Sequence, residues 1–469
     1  MDIWSTERRG KARKEAGDDP NAAQHAEGDE RAAQQHDYDR LLFSPPVRRL
    51  ANKTQVFPLE KNDAVRTRLT HSHEVANLAR SIGDRILRAT PEWQERALEM
   101  RPMLQAIGLG HDLGNPPFGH EGEKAIGSWF RANPDKFNSP DGSVPEHLRP
   151  EFTDFEGNAQ TLRVITKLQV SKGGFGLDLT AGTLAALMKY PTSCDARNKS
   201  SQATKKFGYF ECDFDVVKWI RGCTGLEPGQ RHPLTWVMEA ADDIAYSSLD
   251  IEDAIKKRIL SPEDVLAEID DEGSAALRET ADQLKARFAF DRSGRSVEEV
   301  REIKASYFRT IAIDHMIEHA VTSFSQAFET IKEGNHSKEL LDGCGLCVLL
   351  KKVAYSYAFD SRGVRRLEAS GSVAIRDIMN FLWAAISDRE RPEKLDSRRL
   401  TATAAFGWTL FSDNYKQNAI RNHYKDRDGN DLPMRYKELR LLTDMMSGMT
   451  DGYLMDLHHS LREAGHFRA

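Results

Sequence analysis

Cysteine is scarce: five residues (Cys194, Cys212, Cys223, Cys344, Cys347) in a chain of 469 exclude a disulfide-stapled scaffold. Long apolar runs are missing too, none approaching the ~20 residues that cross a bilayer. The opening stretch MDIWSTERRGKARKEAGDD lacks the apolar core of a secretory signal, so a cytoplasmic protein without a membrane partner is expected. Neither charge is in large excess. Lys and Arg number 66 against 72 Asp and Glu, a formal net of −6, and an affinity for polyanions would have to come from a local patch. Regular strand alternation is rare, and no repeat of fixed period is evident.

What is present is helical periodicity. In HSHEVANLARSIGDRIL, Val75, Leu78, Ala79, Ile82 and Ile86 recur at three- and four-residue spacing and define one apolar face. Similar patterns cover 92–109, 156–169, 180–189, 234–256, 296–332 and 364–387, which predicts a mainly α-helical chain longer than one core usually needs. Residues 1–40 carry almost no aliphatic side chains and read as a charged, flexible, solvated tail that includes Arg8, Arg9, Lys11, Arg13 and Lys14. FSPPVRRLANKTQVFPL (43–59) reads as an ordered loop or short extended segment. The C-x-x-C of Cys344 and Cys347 has no second such pair, and the sulfurs read as buried or capping thiols rather than a redox pair or half of a zinc site.

The run GLGHDLGNPPFGHEGEKAI (108–126) sets two histidines and several acids around consecutive prolines. Packing alone rarely requires this, since each buried imidazole or carboxylate must find a partner. Four positions stand out as metal ligands: His71 opening one helix, His111 and Asp112 closing another before Gly114 releases the backbone, and Asp242 inside a third. Imidazole with carboxylate suits Mn, Fe, Zn, Co or Ni, and added waters admit Mg.

RTRLTHSHEVANLAR, GHDLGNPPFGHEGEKAI, FEGNAQTLRVI, LTAGTLAALMKYP and MEAADDIAYSSLDIEDA follow one another in this order, with LTDMMSGMTDGYLMDL near the end. Together they closely resemble the dGTPase-like deoxynucleoside triphosphate triphosphohydrolases of the HD-domain superfamily, over about residues 41–460. The resemblance implies an all-α fold: a catalytic core at 41–258, and a helical region at 259–469 that adds to the nucleotide pocket and to oligomer contacts. It implies hydrolysis of a dNTP, dGTP among them, to deoxynucleoside and inorganic triphosphate, with one divalent metal (Mn, Mg or Co) per site held by His71, His111, Asp112 and Asp242. His120 and Glu123 match a second, catalytic pair. Three residues apart on a helix they share a face, so the carboxylate orients an imidazole that either positions the attacking water or protonates the leaving 5′-oxygen.

Arg68, Lys189 and Tyr190 match triphosphate contacts, and Asn158 a polar contact. Gln55 and Val56 match positions along the sugar and base. Tyr246, four residues after Asp242 and so on the same helical face, would crowd out a ribose 2′-hydroxyl. Arg435, Glu438 and Arg440 are candidates for reading the base. His73 stands where an aliphatic residue is usual, and its angular offset from His71 argues against a fifth ligand. The resemblance further implies a homo-oligomer, often a hexamer, open to an allosteric dNTP or to single-stranded DNA. The alternatives are an HD-type phosphodiesterase or (p)ppGpp hydrolase, which would not require His120 and Glu123, and a catalytically silent dNTP-sensing assembly protein.

Overall fold

The computed structural model describes residues 2–10, 31–60, 62, 65–171, 173–359 and 361–467. Among them are helices and two isolated bridges, Thr54 with Thr67 and Lys425 with Asp431, but no strand. The chain is all-α. The helices that build the site are α1 (Ala33–Leu42), α2 (Arg68–Ala89), α3 (Ala97–Gly110), α4 (Gly119–Ala132), α5 (Gly157–Thr166), α6 (Pro233–Lys256), α7 (Gly345–Ala354), α8 (Arg362–Ser387), α9 (Met434–Gly448) and α10 (Asp451–Glu463).

The hub is α6. Twenty of its 24 residues are buried, as expected for a helix packed on all sides, and α2, α3, α7 and the long helix Val297–Gln326 lie against it. One contiguous apolar core runs from Leu41 to Leu461 and joins 41–258 to 259–469. Small residues set the closest crossing: a Cβ on Gly108 of α3 would collide with the backbone of Ala76 on α2. That approach brings the rings of His71 and His111, about a turn along each helix, to 5.6 Å between centroids.

Two segments differ from expectation. Residues 45–52 are not extended, because Ser44 precedes prolines at the first two helical positions, where a missing N–H costs nothing; a short helix, Pro45–Arg49, and a 3₁₀ turn, Leu50–Asn52, result. The tail is not flexible throughout. Arg8, 5% exposed, pairs with the fully buried Asp37 of α1 at 2.7 Å and donates to the carbonyls of Ala33 and Asp178. Asp37 also accepts from the backbone N–H of Thr180 at 3.1 Å and from its hydroxyl at 2.6 Å. Arg9 reaches Asp215 at 2.7 Å. Lys11, Arg13 and Lys14 lie outside the described residues.

Removing one partner from a buried ion pair costs roughly 3–5 kcal/mol because the other charge is left uncompensated. Arg8→Met is therefore expected to lower the thermal midpoint markedly, whereas Arg9→Met, whose partner Asp215 is half exposed, should move it little. Differential scanning fluorimetry of both variants checks this, and equal small shifts would contradict a docked segment.

Candidate active site

Helix α2 starts at Arg68 because Thr67 caps it, the two hydroxyls of Thr67 and Thr70 each accepting the other residue's backbone N–H. Arg68 and His71 thereby occupy one face of the first turn. His71 Nε2 lies 3.2 Å from Asp242 Oδ1 on α6. His111 ends α3, and its Nδ1–H donates to the Gly108 carbonyl at 2.7 Å. A carbonyl can only accept, so this bond places the ring's lone pair on Nε2. That Nε2 has no hydrogen-bond partner, yet it faces Asp242 Oδ1 at 3.5 Å and Asp112 Oδ1 at 3.6 Å.

Ligand atoms of His71, His111 and Asp242 all fall within 4.8 Å of one another. Asp112 sits at the edge of this group. Its Oδ1 accepts from Asn115 Nδ2 at 2.7 Å, and its Oδ2 is paired with Arg68. Burial opposes charge on each of these groups, but their partners outweigh it. Asp112 and Asp242 hold His111 at about 9; Arg68 and His111 hold Asp112 at about 2; His111 and His71 hold Asp242 well below the carboxylate range. Without a metal, a proton on His111 supplies the positive charge between these ionised carboxylates; a divalent ion would take that proton's place, and nitrogen with oxygen donors fits a borderline one.

Beyond Asp112 the chain turns through Pro116 and Pro117. Helix α3 has already ended at Gly110, and the left-handed backbone of the turn falls at Phe118 (φ 61°) and Gly119 (φ 54°), not at Gly114. His120 then opens α4 with its side chain 77% exposed at the cleft mouth, and its Nδ1–H donates to Glu123 Oε2 at 2.8 Å. This hydrogen bond, with the Glu123 charge, raises the imidazole pKa. The other oxygen of Glu123 accepts from Gly157 N at the start of α5, also at 2.8 Å, so the carboxylate is fixed from both sides.

On α6, Asp242, Tyr246 and Asp250 follow at intervals of four and form one stripe along a cleft of about 440 Å³. Asp250 was not singled out from the sequence, although the spacing displayed it. It is fully buried, neither carboxyl oxygen has a hydrogen-bond partner, and burial with the nearby Asp253 charge drives its pKa far up. Ionisation of a carboxyl in the cleft wall is thus opposed by its surroundings.

Gln55, Val56, Arg68, Asn158, Lys189 and Tyr190 all line the same cleft. Lys189 Nζ lies 3.5 Å from Glu239 and 4.0 Å from Asp242, while Asn158 donates to Glu156 at 2.6 Å. Sequence reasoning missed Lys206, which pairs with Glu156 at 2.9 Å, and Asn115; nothing local in the sequence marks either. It also missed Tyr355, in the single π-helical turn after α7, and Arg365 and Glu368 on α8, which complete the mouth. Hollows of about 650 and 970 Å³ lie elsewhere, but among the described residues the one grouping of metal-type donors is here.

Arg435, Glu438 and Arg440 are not in the cleft. Arg440 is fully buried against Glu151 at 2.6 Å, Glu438 is paired with Arg389, and Arg435 stacks on Trp383. Ion pairing inside the C-terminal core claims all three. His73 is exposed. Cys344 and Cys347 are buried, and burial pushes the Cys347 thiol up to about 12, which makes it a poor nucleophile.

The HD-domain family model matches residues 68–150. A deoxyguanosinetriphosphate triphosphohydrolase-like protein of Listeria monocytogenes is 35% identical over 452 aligned residues, covering 92% of this chain and 94% of that protein. A deoxyguanosinetriphosphate triphosphohydrolase of Yersinia pestis is 30% identical over 484, covering 91% and 93%.

His111→Ala and Asp242→Ala are expected to lose a divalent ion that the parent retains after loading with Mn and desalting, whereas His73→Ala keeps it; elemental analysis reads the result. Glu123→Gln should shift the His120 imidazole titration downward, toward the ordinary value near 6.5, as followed by NMR with His120→Ala identifying the resonance.

Proposed function

We propose, on the premise that the chain belongs to the deoxyguanosinetriphosphate triphosphohydrolase family of HD-domain proteins, that it hydrolyses dNTPs to deoxynucleoside and inorganic triphosphate. The observation that carries this reading is the unpartnered His111 Nε2 held among Asp242, His71 and Asp112, on the same cleft as the oriented His120–Glu123 pair. A divalent metal there would lower the pKa of a bound water and draw charge from a phosphate oxygen. His71, His111 and Asp242 would hold it, with Asp112 able to join if Arg68 turns to phosphate.

The remaining work falls to this chain's side chains. Water adds to the α-phosphorus and the bond from that phosphorus to O5′ breaks; the proton is delivered to O5′, so a neutral deoxynucleoside leaves the triphosphate. His120 is placed to give that proton, because Glu123 keeps its Nδ1–H engaged and favours the imidazolium form. Arg68, Lys189, Tyr190 and Lys206 face the triphosphate, the guanidinium being suited to two phosphate oxygens at once. Tyr246 and Asp250 lie next to Asp242 along α6 and so face the sugar: the ring fills the space of a 2′-hydroxyl, and the Asp250 carboxyl pairs with a hydroxyl. Gln55 and Val56 line the sugar and base. The complete donor set and the His120–Glu123 pair argue against a silent sensor and against a simple HD phosphodiesterase.

Product analysis tests the reading. Each dNTP and NTP is incubated with Mn, Mg or Co, and triphosphate is separated from pyrophosphate and phosphate. Triphosphate from dNTPs, dGTP included, is the expected outcome; none under any condition, mixed dNTPs included, would overturn it. His120→Ala should keep its metal and lose roughly 10²–10⁴-fold in rate, while Tyr246→Ala should gain activity on NTPs.

A further inference from the structure

The turn that delivers His120 cannot hold its own shape. Pro116 and Pro117 donate no hydrogen bond, and Phe118 stands in the left-handed region that a bulky residue rarely occupies. Within the turn the backbone bonds are Asn115 N to Asp112 O and Gly119 N to Pro116 O, and the Asn115 side chain donates to Asp112 Oδ1. The other restraints come from outside. Phe118 N donates to Asp451 Oδ1 at 3.1 Å, and the Asn115 carbonyl accepts from Lys53 Nζ at 2.5 Å. The Phe118 ring rests on Gly371 of α8, where a Cβ would come within 2.7 Å of it.

Asp451 and Lys53 grip the opposite wall as well. Asp451, first residue of α10 and 2% exposed, accepts from the Thr54 N–H at 2.9 Å and from its hydroxyl through Oδ2. Lys53, 4% exposed, also donates to the Ser447 carbonyl at 2.7 Å, and its own carbonyl accepts from Arg68 N at 3.1 Å. Gln55 follows directly on this loop, and Arg68 begins α2.

We infer that Asp451 and Lys53 are positioning residues for the reaction: from the C-terminal end of the fold they hold the Asn115–Gly119 turn, and through it His120, at a fixed place relative to the Thr54–Val56 wall. A structural role alone accounts poorly for Lys53. Its hydrogen-bond partners are carbonyls rather than carboxylates, and burial depresses its pKa to about 7, so an apolar side chain of similar length would be cheaper to bury. What the ammonium supplies is a tie between two carbonyls that otherwise could not meet. The inference rests on the role given to His120 above.

The test is a double-mutant cycle with metal content read alongside. Asp451→Asn keeps the shape but replaces one acceptor oxygen with a donor, and Lys53→Met fills the same space without the tie. Each is expected to bind Mn at the parental stoichiometry and to lower kcat by about 10–10²-fold, the scale of a catalytic group displaced by ~1 Å, with little change in KM. In the His120→Ala background the same substitutions should cost nothing further. An equal loss in both backgrounds, or an unchanged kcat in folded protein, overturns the inference; if Asp451→Asn does not fold, Lys53→Met carries the test. The His120 imidazole titration in Asp451→Asn gives a readout independent of turnover. A downward shift, from a loosened His120–Glu123 bond, supports positioning even if the parent releases no triphosphate, and an unchanged curve refutes it.

Discussion

Two carboxylates share a water-poor space with two imidazoles, and the architecture is arranged to keep positive charge beside them. Unit charges 4 Å apart interact by about 1 kcal/mol in water and about 4 kcal/mol where the effective dielectric is near 20. Enclosing Asp242 and Asp112 therefore calls for positive charge close by, which Arg68 and a proton on His111 supply here and which a divalent ion would supply in place of that proton. The fold meets the geometric side of the demand by close packing. Gly108 lets α3 approach α2 at Ala76, the Gly108 carbonyl then fixes the His111 tautomer, and α6 passes close enough to set Asp242 between both rings.

Over the whole cleft, Asp242 and Asp112 included, charge is balanced: five lysines and arginines face five carboxyl groups. Balance of this kind would bind a triphosphate poorly. Two features tip it. Burial and neighbouring acids oppose the charge on Asp250, and a bound divalent ion would add two positive charges. Arg68 is the hinge of this scheme, since its guanidinium rests on Asp112 and can exchange that carboxylate for phosphate without leaving its capped position at the start of α2.

The sequence displays what depends on local order and conceals what depends on distance. Helical class was legible because α2 and α6 carry their periodicity openly, and the candidate donors His111 and Asp112 with the proline turn beside them stood out because they are contiguous. Tyr246 followed from its spacing to Asp242, and Asp250 repeats that spacing, so it was legible in principle. The docking of residues 2–10 was not, since one buried Arg8–Asp37 pair reverses what a polar composition implies. Arg440 resembled a reader of bases only because nothing in its neighbourhood reveals Glu151, 289 residues away, which claims it.

The same distinction explains why the catalytic turn needs the far end of the chain. The family-matched segment, 68–150, contains His71, His111, Asp112, His120 and Glu123, yet it lacks a donor or acceptor to satisfy the strained centre of its own turn. Prolines that shape the turn also strip it of N–H groups, so whatever fixes Phe118 and Asn115 must arrive from elsewhere. Asp451, 333 residues from Phe118 and 397 from Thr54, does so with one carboxylate. A helix terminus placed there gains its hold on both cleft walls from the three backbone and hydroxyl hydrogens it accepts, which is why an acid at that position serves the site although it never faces the substrate.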